Sequence, residues 1–321
     1  MICINRRLVR FAIIMAGLVL RGVADDTDMP TDGLGYRITD NGVLVTDGEK
    51  KVLFYQRTPT ARGVQPPRAH YVHPLYGLDG DELTEDCPED HRHHRGVFWA
   101  WHQLIAGGIH AGDSWAVRNF EWHVESVTPD KLENGAVTLR MVVQWRSADF
   151  HDGQQAVLRE RSQITVFPLN GGRRAIDFSM QLRSNHEVLI GGSDNAKGYG
   201  GFSVRLKLPE DIAFSNERGP VVPMVNAVEA SPWMTVTGSF TSSQPSAVTV
   251  MTHPDCVGYP HPWILRARNS MQNAAWPGRT PVPLNVTNLK YRILLHPASE
   301  DPKQVSQWYA EWANPKHNAG R

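Results

Sequence analysis

Four stretches of this chain, residues 117–127, 136–146, 156–167 and 175–183, alternate apolar and polar side chains with a period of two. Successive side chains on a β-strand point to opposite faces, so such runs bury one face and wet the other. Each is bounded by Gly, Asn, Asp or Pro, and strands of this kind are satisfied by a large antiparallel assembly. Shorter β-branched and aromatic runs precede them at 36–40, 43–47 and 51–55, separated by the hairpin turn signals Asn41-Gly42 and Asp47-Gly48. Residues 69–74, 202–208, 234–240, 247–251, 263–268 and 289–296 read as further strands. Helical periodicity is confined to the C-terminus. There Asp301 can cap, Pro302 suits the first turn, and Val305, Trp308, Tyr309 and Trp312 recur at spacings of three and four. The expected fold is all-β, a large antiparallel β-sandwich (supersandwich-like) of two stacked sheets with one C-terminal α-helix. No internal repeat or break in composition divides residues 25–321, which read as a single domain.

The first residues have a different character. Arg6, Arg7 and Arg10 precede a short apolar run at 11–20, and Gly22-Val23-Ala24 offers small residues for cleavage. This is the pattern of a secretory signal cut near Ala24, which places the mature protein in the periplasm or outside the cell. The apolar run is short for a membrane span and Arg21 closes it, so no stable membrane insertion is expected after cleavage. Thirty-three basic residues balance 33 acidic ones, which recommends neither nucleic acid nor an anionic membrane as a partner. In an oxidising compartment a bond between Cys87 and Cys256 is allowed and not demanded. Asn285-Val286-Thr287 matches a glycosylation sequon.

Chemistry concentrates in residues 85–96, Glu85-Asp86-Cys87-Pro88-Glu89-Asp90-His91-Arg92-His93-His94-Arg95-Gly96, which run into Val97-Phe98-Trp99-Ala100-Trp101-His102. Imidazoles titrate near neutral pH and can move protons or bind a metal, and adjacent carboxylates orient them. In an extended segment His91, His93 and Arg95 would share one face and His94 the other. The plain alternative is a solvated charged turn with Pro88 and Gly96 at its corners. A second candidate is the stretch 191–201. Its Lys197-Gly198 order does not fit a phosphate loop, but its glycines could let Lys197 and Tyr199 reach a ligand at a sheet edge. Gly112-Asp113-Ser114-Trp115 lacks the flanking glycines of a nucleophile elbow. The common zinc signatures are absent, so a metal at His91 and His93 would need ligands from remote strands. Glu160 reads as a surface carboxylate or as an acid–base group aimed into a cleft.

The stretch Tyr71-Val72-His73-Pro74-Leu75-Tyr76-Gly77, followed by Thr84 to Trp99, resembles the hallmark of the bacterial family known as PmoA-like. Residues 197–201 and 291–297 are similar to further features of that family. The family name refers to a methane oxygenase whose membrane subunit is a bundle of apolar helices, and this chain has no such helices. What the resemblance implies is a secreted or periplasmic β-sandwich of no established activity, common in bacteria that degrade polysaccharides, with an architecture like that of aldose mutarotases.

Three functions follow. The first is a carbohydrate-active epimerase, lyase or hydrolase on a small-molecule or oligosaccharide substrate. In it His91 and His94 serve as acid and base, oriented by Asp90 or Glu85, with Glu160 as a further acid–base group. Arg68, His73, Arg95 and Lys197 would hold the substrate's polar groups, Trp99, Trp101 and Tyr199 would stack on the sugar, and His102 would contact it. The second is a divalent-metal site on His91 and His93, completed by His73 or His102. The third is a glycan-binding module without catalysis. If the first holds, Glu160 and Lys197 should stand within reach of the imidazoles.

Overall fold

The computed structural model describes residues 32–60, 67–240 and 244–314; the expected signal at 1–24 lies outside the described residues. Three antiparallel sheets make up the fold. The first contains, in spatial order, Leu34–Ile38, Gly42–Asp47, Lys50–Gln56, Tyr71–Leu75, Val97–Ala100, Gly201–Val204, Gln272–Ala275 and Trp263–Ile264. The second runs Gly219–Pro220, Ala213–Asn216, Trp233–Gly238, Ser246–Thr252, Thr287–Pro297, Arg174–Arg183, Ala156–Val166, Val137–Ser147 and Phe120–Lys131. A small third sheet joins Val282–Pro283, Val188–Gly191, Gln103–Ala106 and Ile109–His110.

The expected all-β sandwich is thus present, with one more sheet than the alternating runs announce. The four long alternating stretches form adjacent strands of the second sheet together with Thr287–Pro297. Their inward residues, among them Leu139, Met141, Trp145, Ile164 and Phe178, are buried in one apolar cluster with Val97, Trp99 and Phe202 of the first sheet. Removing such side chains from water stabilises by about 1.5–3 kcal/mol each.

Several expected strands are shorter or displaced. Residues 117–119 lie in a loop before Phe120–Lys131, and the strands expected at 202–208 and 263–268 end at Val204 and Ile264. Strands of four residues such as Gln103–Ala106, Val188–Gly191 and Gln272–Ala275 carry too few residues for a period to show.

The C-terminal helix, Pro302–Ala313, forms as read. Asp301 accepts a hydrogen bond from the Lys303 N–H at 2.8 Å, and Pro302 opens the first turn. Val305 and Trp308 pack on Trp233, Met251 and Leu294, covering the outer face of the second sheet. Cys87 and Cys256 are free thiols. Burial pushes the Cys256 thiol up to about 11, which leaves it protonated and inert.

The first sheet is covered on both faces, and this positions the site. While Trp99 and Trp101 point into the sandwich, Tyr71, Phe98 and Ala100 face the other way and cluster with Trp115 and Met271. On that outer layer the acidic-histidine segment is folded.

Candidate active site

Residues 85–96 form a closed loop rather than an extended strand. Asp86 pairs with Arg95 across its neck, and the Cys87 N–H donates to the His94 carbonyl at 3.0 Å. Turns at its tip, His91 N–H to Pro88 O and His94 N–H to His91 O, bring His91, His93 and His94 together instead of alternating them. The rings of His91 and His94 stack at 4.6 Å with planes 4° apart, and His93 meets His94 edge to face, also at 4.6 Å. Gly96 closes the loop because any Cβ there would overlap the Val72 carbonyl oxygen.

Arg205, just beyond the strand Gly201–Val204, holds the loop in place. Its guanidinium donates to Glu85 at 2.8 Å and to both oxygens of Asp90 at 2.9 and 3.1 Å. Asp90 in turn accepts from His91 Nδ1 at 3.0 Å. Burial pushes the Asp90 carboxyl up, but the His91 hydrogen bond and the Arg205 charge outweigh it, and its pKa lies below the usual value. A carboxylate can only accept, so the Nδ1 of His91 carries the proton and Nε2 is left as the basic nitrogen.

A second pair of this kind stands opposite. His102 Nδ1 donates to Asp113 Oδ2 at 3.0 Å. Asp113 also accepts from the Ala116 N–H and from Arg118, and these bonds, with His102, overcome the upward push of burial and hold its carboxyl below the ordinary range. The turn 113–118 is closed by reciprocal backbone bonds between Asp113 and Arg118, with Val117 at a φ of 54°, a strained value for a β-branched residue. The turn carries the Trp115 ring inward, where it lies against His94, Phe98, His102 and Tyr199.

The glycine-rich stretch supplies the last wall. Gly192 sits so close to the Gly198 carbonyl that a Cβ would collide with it, and the folded-back loop presents Lys197 and Tyr199. Together these parts surround a hollow of about 410 Å³, lined by His91, His93, His94, His102, Trp115, Ala116, Arg118, Lys197, Tyr199, Arg266, Asn269, Ser270 and Met271. An adjoining hollow of about 500 Å³ shares His102, Arg118 and Tyr199 with it. His102 Nε2 and His94 Nδ1 are buried and have no partner among the described residues. Burial, then the neighbouring imidazoles His93 and His91, push His94 far below its ordinary value. His93 is pushed down to about 4 by burial, with His91, His102 and Arg68 adding to it. Both rings are therefore neutral near pH 7.

The hollow gathers His91, His93, His94, His102, Lys197 and Tyr199 of the residues singled out from the sequence. Others lie elsewhere. Glu160 is fully buried between the two large sheets, where it accepts from Trp99, Trp145 and His70; it is not within the hollow and cannot act on a ligand there. Trp99 and Trp101 are core residues with no free face for a sugar. Arg68 is sealed beneath the site, donating to the carbonyls of Ser114 and Trp99 and lying over the rings of Phe98 and Trp122. Arg95 is buried against Asp86, and His73 against Thr84. Glu85 is bonded to Arg205, and Asp90 to Arg205 and His91.

The metal reading of His91 and His93 lacks further ligands. Among the described residues no group of three His, Cys, Asp or Glu side chains is placed to hold an ion. The parallel rings of His91 and His94 keep their in-plane lone pairs side by side, and Asp90 is engaged by Arg205. From the sequence His102 has a substrate contact or a place as a metal ligand and no acid–base role, while its partner Asp113, Arg205 and Trp115 have no role. Their signals are long-range contacts, which no local spacing announces.

A larger hollow, about 1010 Å³, lies on the outer face of the second sheet beside the helix. Its indole faces at Trp308 and Trp312 are already covered by Arg173 and Arg292.

Among the described residues no helix is long and apolar enough to cross a membrane. No curated protein matches the chain. Among solved structures, galactose 1-epimerase from Lactobacillus acidophilus NCFM aligns over 81% of this chain and 96% of its own, with 11% identity and a TM-score of 0.39. A 4-alpha-glucanotransferase from Thermococcus litoralis aligns over 82% of this chain and 37% of its own, with 9% identity and a TM-score of 0.23. Likenesses this distant carry no argument about chemistry. A family model does match residues 42–310, without the methane-oxygenase label that the central motif suggests, and the chain belongs to that family, the family of unknown function DUF6807.

Proposed function

We propose that the protein is an enzyme that moves protons at a sugar ring, with His91 and His102 as its acid–base pair. The observation that supports this most directly is the pairing of each ring's Nδ1 with an ionised carboxylate, Asp90 and Asp113, around one hollow. This is the arrangement that fixes a tautomer and keeps Nε2 available for proton transfer. His94 and Trp115 form the floor and wall between them. A sugar fits the remaining chemistry: the half-buried Tyr199 ring to pack on, and Asn269, Ser270 and Lys197 to meet hydroxyls. Hydrolysis by two carboxylates would need acid groups facing the bond, and among the described residues the hollow's lining contains none. Epimerisation or elimination suits two imidazoles better. The basic and apolar start of the chain supports placing this activity in the periplasm or outside the cell.

The test is a panel of mono- and disaccharides incubated in heavy water and followed by proton NMR for exchange, isomerisation or elimination. Turnover of at least one sugar is expected, and His102→Gln should lower it by about 10²–10⁴-fold, the usual worth of a positioned acid–base group. Unchanged turnover in that variant, or none with any sugar, would sink the reading.

A further inference from the structure

The chain as a whole is electrically balanced, with 33 basic and 33 acidic residues, but the walls of the two adjoining hollows are not. The hollow under His94 is lined by Arg118, Lys197 and Arg266 and by no carboxylate among the described residues. Arg266 spends its donors on the backbone carbonyls of Met224, Val225 and Leu265, which hold the group without neutralising it. The Lys197 ammonium has no hydrogen-bond or ion-pair partner among the described residues. Directly beneath, Arg68 is sealed with carbonyl partners only. The adjoining hollow has the opposite character, with Asp113, Asp149 and Asp194 around Arg118.

Lys197 and Arg266 in the wall of the hollow and Arg68 sealed beneath it, none with a bonded carboxylate, make a local positive potential that water screens poorly. Arg68 adds to the forces that keep His93 and His94 neutral, so the field is already felt by the imidazoles. Asp113 offsets part of that field at His93, and a bound anion would offset more of it.

We infer that the His94 hollow takes a sugar bearing an anionic group, which lies against Lys197 and Arg266 while the sugar's hydroxyls turn toward the carboxylates of the adjoining hollow. This rests on the acid–base reading of the same site and narrows its substrate class. A carboxylate or a phosphate would serve the same cations, and experiment separates them. A bound anion would also offset the field that disfavours protonated imidazole, so that a ring here takes up its proton with the substrate in place.

The experiment uses the whole mature protein and ligand-observed NMR with three probes of one ring type: glucose, glucuronate and glucose 6-phosphate. An anionic probe should bind about ten- to a hundredfold more tightly than glucose, the worth of one charge-assisted hydrogen bond. The advantage should shrink with added salt, and Lys197→Gln should remove most of it. Arg266→Gln should do likewise; since Arg266 also ties down the 224–225 segment, Lys197→Gln is the variant that decides. Preference for glucuronate assigns an acidic sugar and preference for glucose 6-phosphate a sugar phosphate. Equal binding of glucose, or an anion preference that survives Lys197→Gln undiminished, overturns the inference, as does failure of both anionic probes to bind. The two readings fail separately. Turnover of neutral sugars that depends on His102 would sink only the charge preference, whereas anion preference with full turnover in His102→Gln would sink only the acid–base reading.

Discussion

Of the imidazole–carboxylate contacts at 3.0 Å among the described residues, His70 with Glu160 and His102 with Asp113 make the sharpest contrast. In the first, every valence is spent. Glu160 Oε1 accepts from His70 Nε2 and Oε2 from Trp145 Nε1, the Trp99 Nε1–H is shared by both oxygens at 3.1 Å, and Tyr55 Oη bonds the other ring nitrogen of His70 at 2.7 Å. Both residues are completely sealed. In the second, Asp113 is equally well bonded, but His102 keeps a nitrogen with no partner on a wall of the hollow. The pair alone does not make a catalytic group; the second differs from the first in one buried ring nitrogen that is left without a partner, on a residue that lines the hollow.

The sharpest break of this comparison is Glu160→Ala. It strands two indole N–H groups and an imidazole N–H in the core, and losing one partner of a buried charged network costs about 3–5 kcal/mol. Glu160→Gln should rescue little of this, since its amide nitrogen donates where Trp145 or Trp99 also donates. Urea unfolding of the variants checks it; a loss below about 1 kcal/mol would mean that the network is not holding the sheets.

Acid should distinguish sealed from open histidines next. His261 and His296 are buried, and burial pushes both down to about 4. Their folded pKa lies below that of the unfolded chain, near 6.5, so the unfolded state takes up protons first as pH falls. Stability is therefore full above pH 6.5 and declines toward pH 4, by at most about 3 kcal/mol for each ring. His296→Gln should flatten that decline, and equal urea midpoints at pH 7 and pH 4.5 in the parent protein would contradict the account.

The same contrast shows what the sequence makes legible. Alternation reveals the long strands, and it also places Glu160 on the side of Leu158 and Ile164 while Arg159 and Arg161 take the wet side; a carboxylate in an apolar register is the mark of a satisfied core network as much as of a cleft. Trp99 and Trp101 are harder to place, because the strand Val97–Ala100 is buried on both faces and shows no alternation at all. The imidazole-rich loop is visible as composition, but its turns, which bring His91 and His94 face to face, are set by Arg205 some 115 residues beyond Asp90. His102 and Asp113 are nearer, 11 residues apart, yet only the closure of the turn at Arg118 brings them together.

The smallest effect on stability and the most selective one on function is expected from Asp113→Asn. The side chain keeps an oxygen that can accept from the Ala116 N–H, so the turn should survive with a loss of about 1 kcal/mol or less. Its amide nitrogen, however, faces His102 as a donor. The ring can keep that hydrogen bond only by moving its proton to Nε2, which turns the basic nitrogen of the hollow into a donor. Turnover should then fall while urea stability stays near that of the parent, the reverse of the outcome at Glu160. If Asp113→Asn instead unfolds the protein as Glu160→Ala does, the second pair is a structural pin like the first, and the open nitrogen of His102 is an accident of packing.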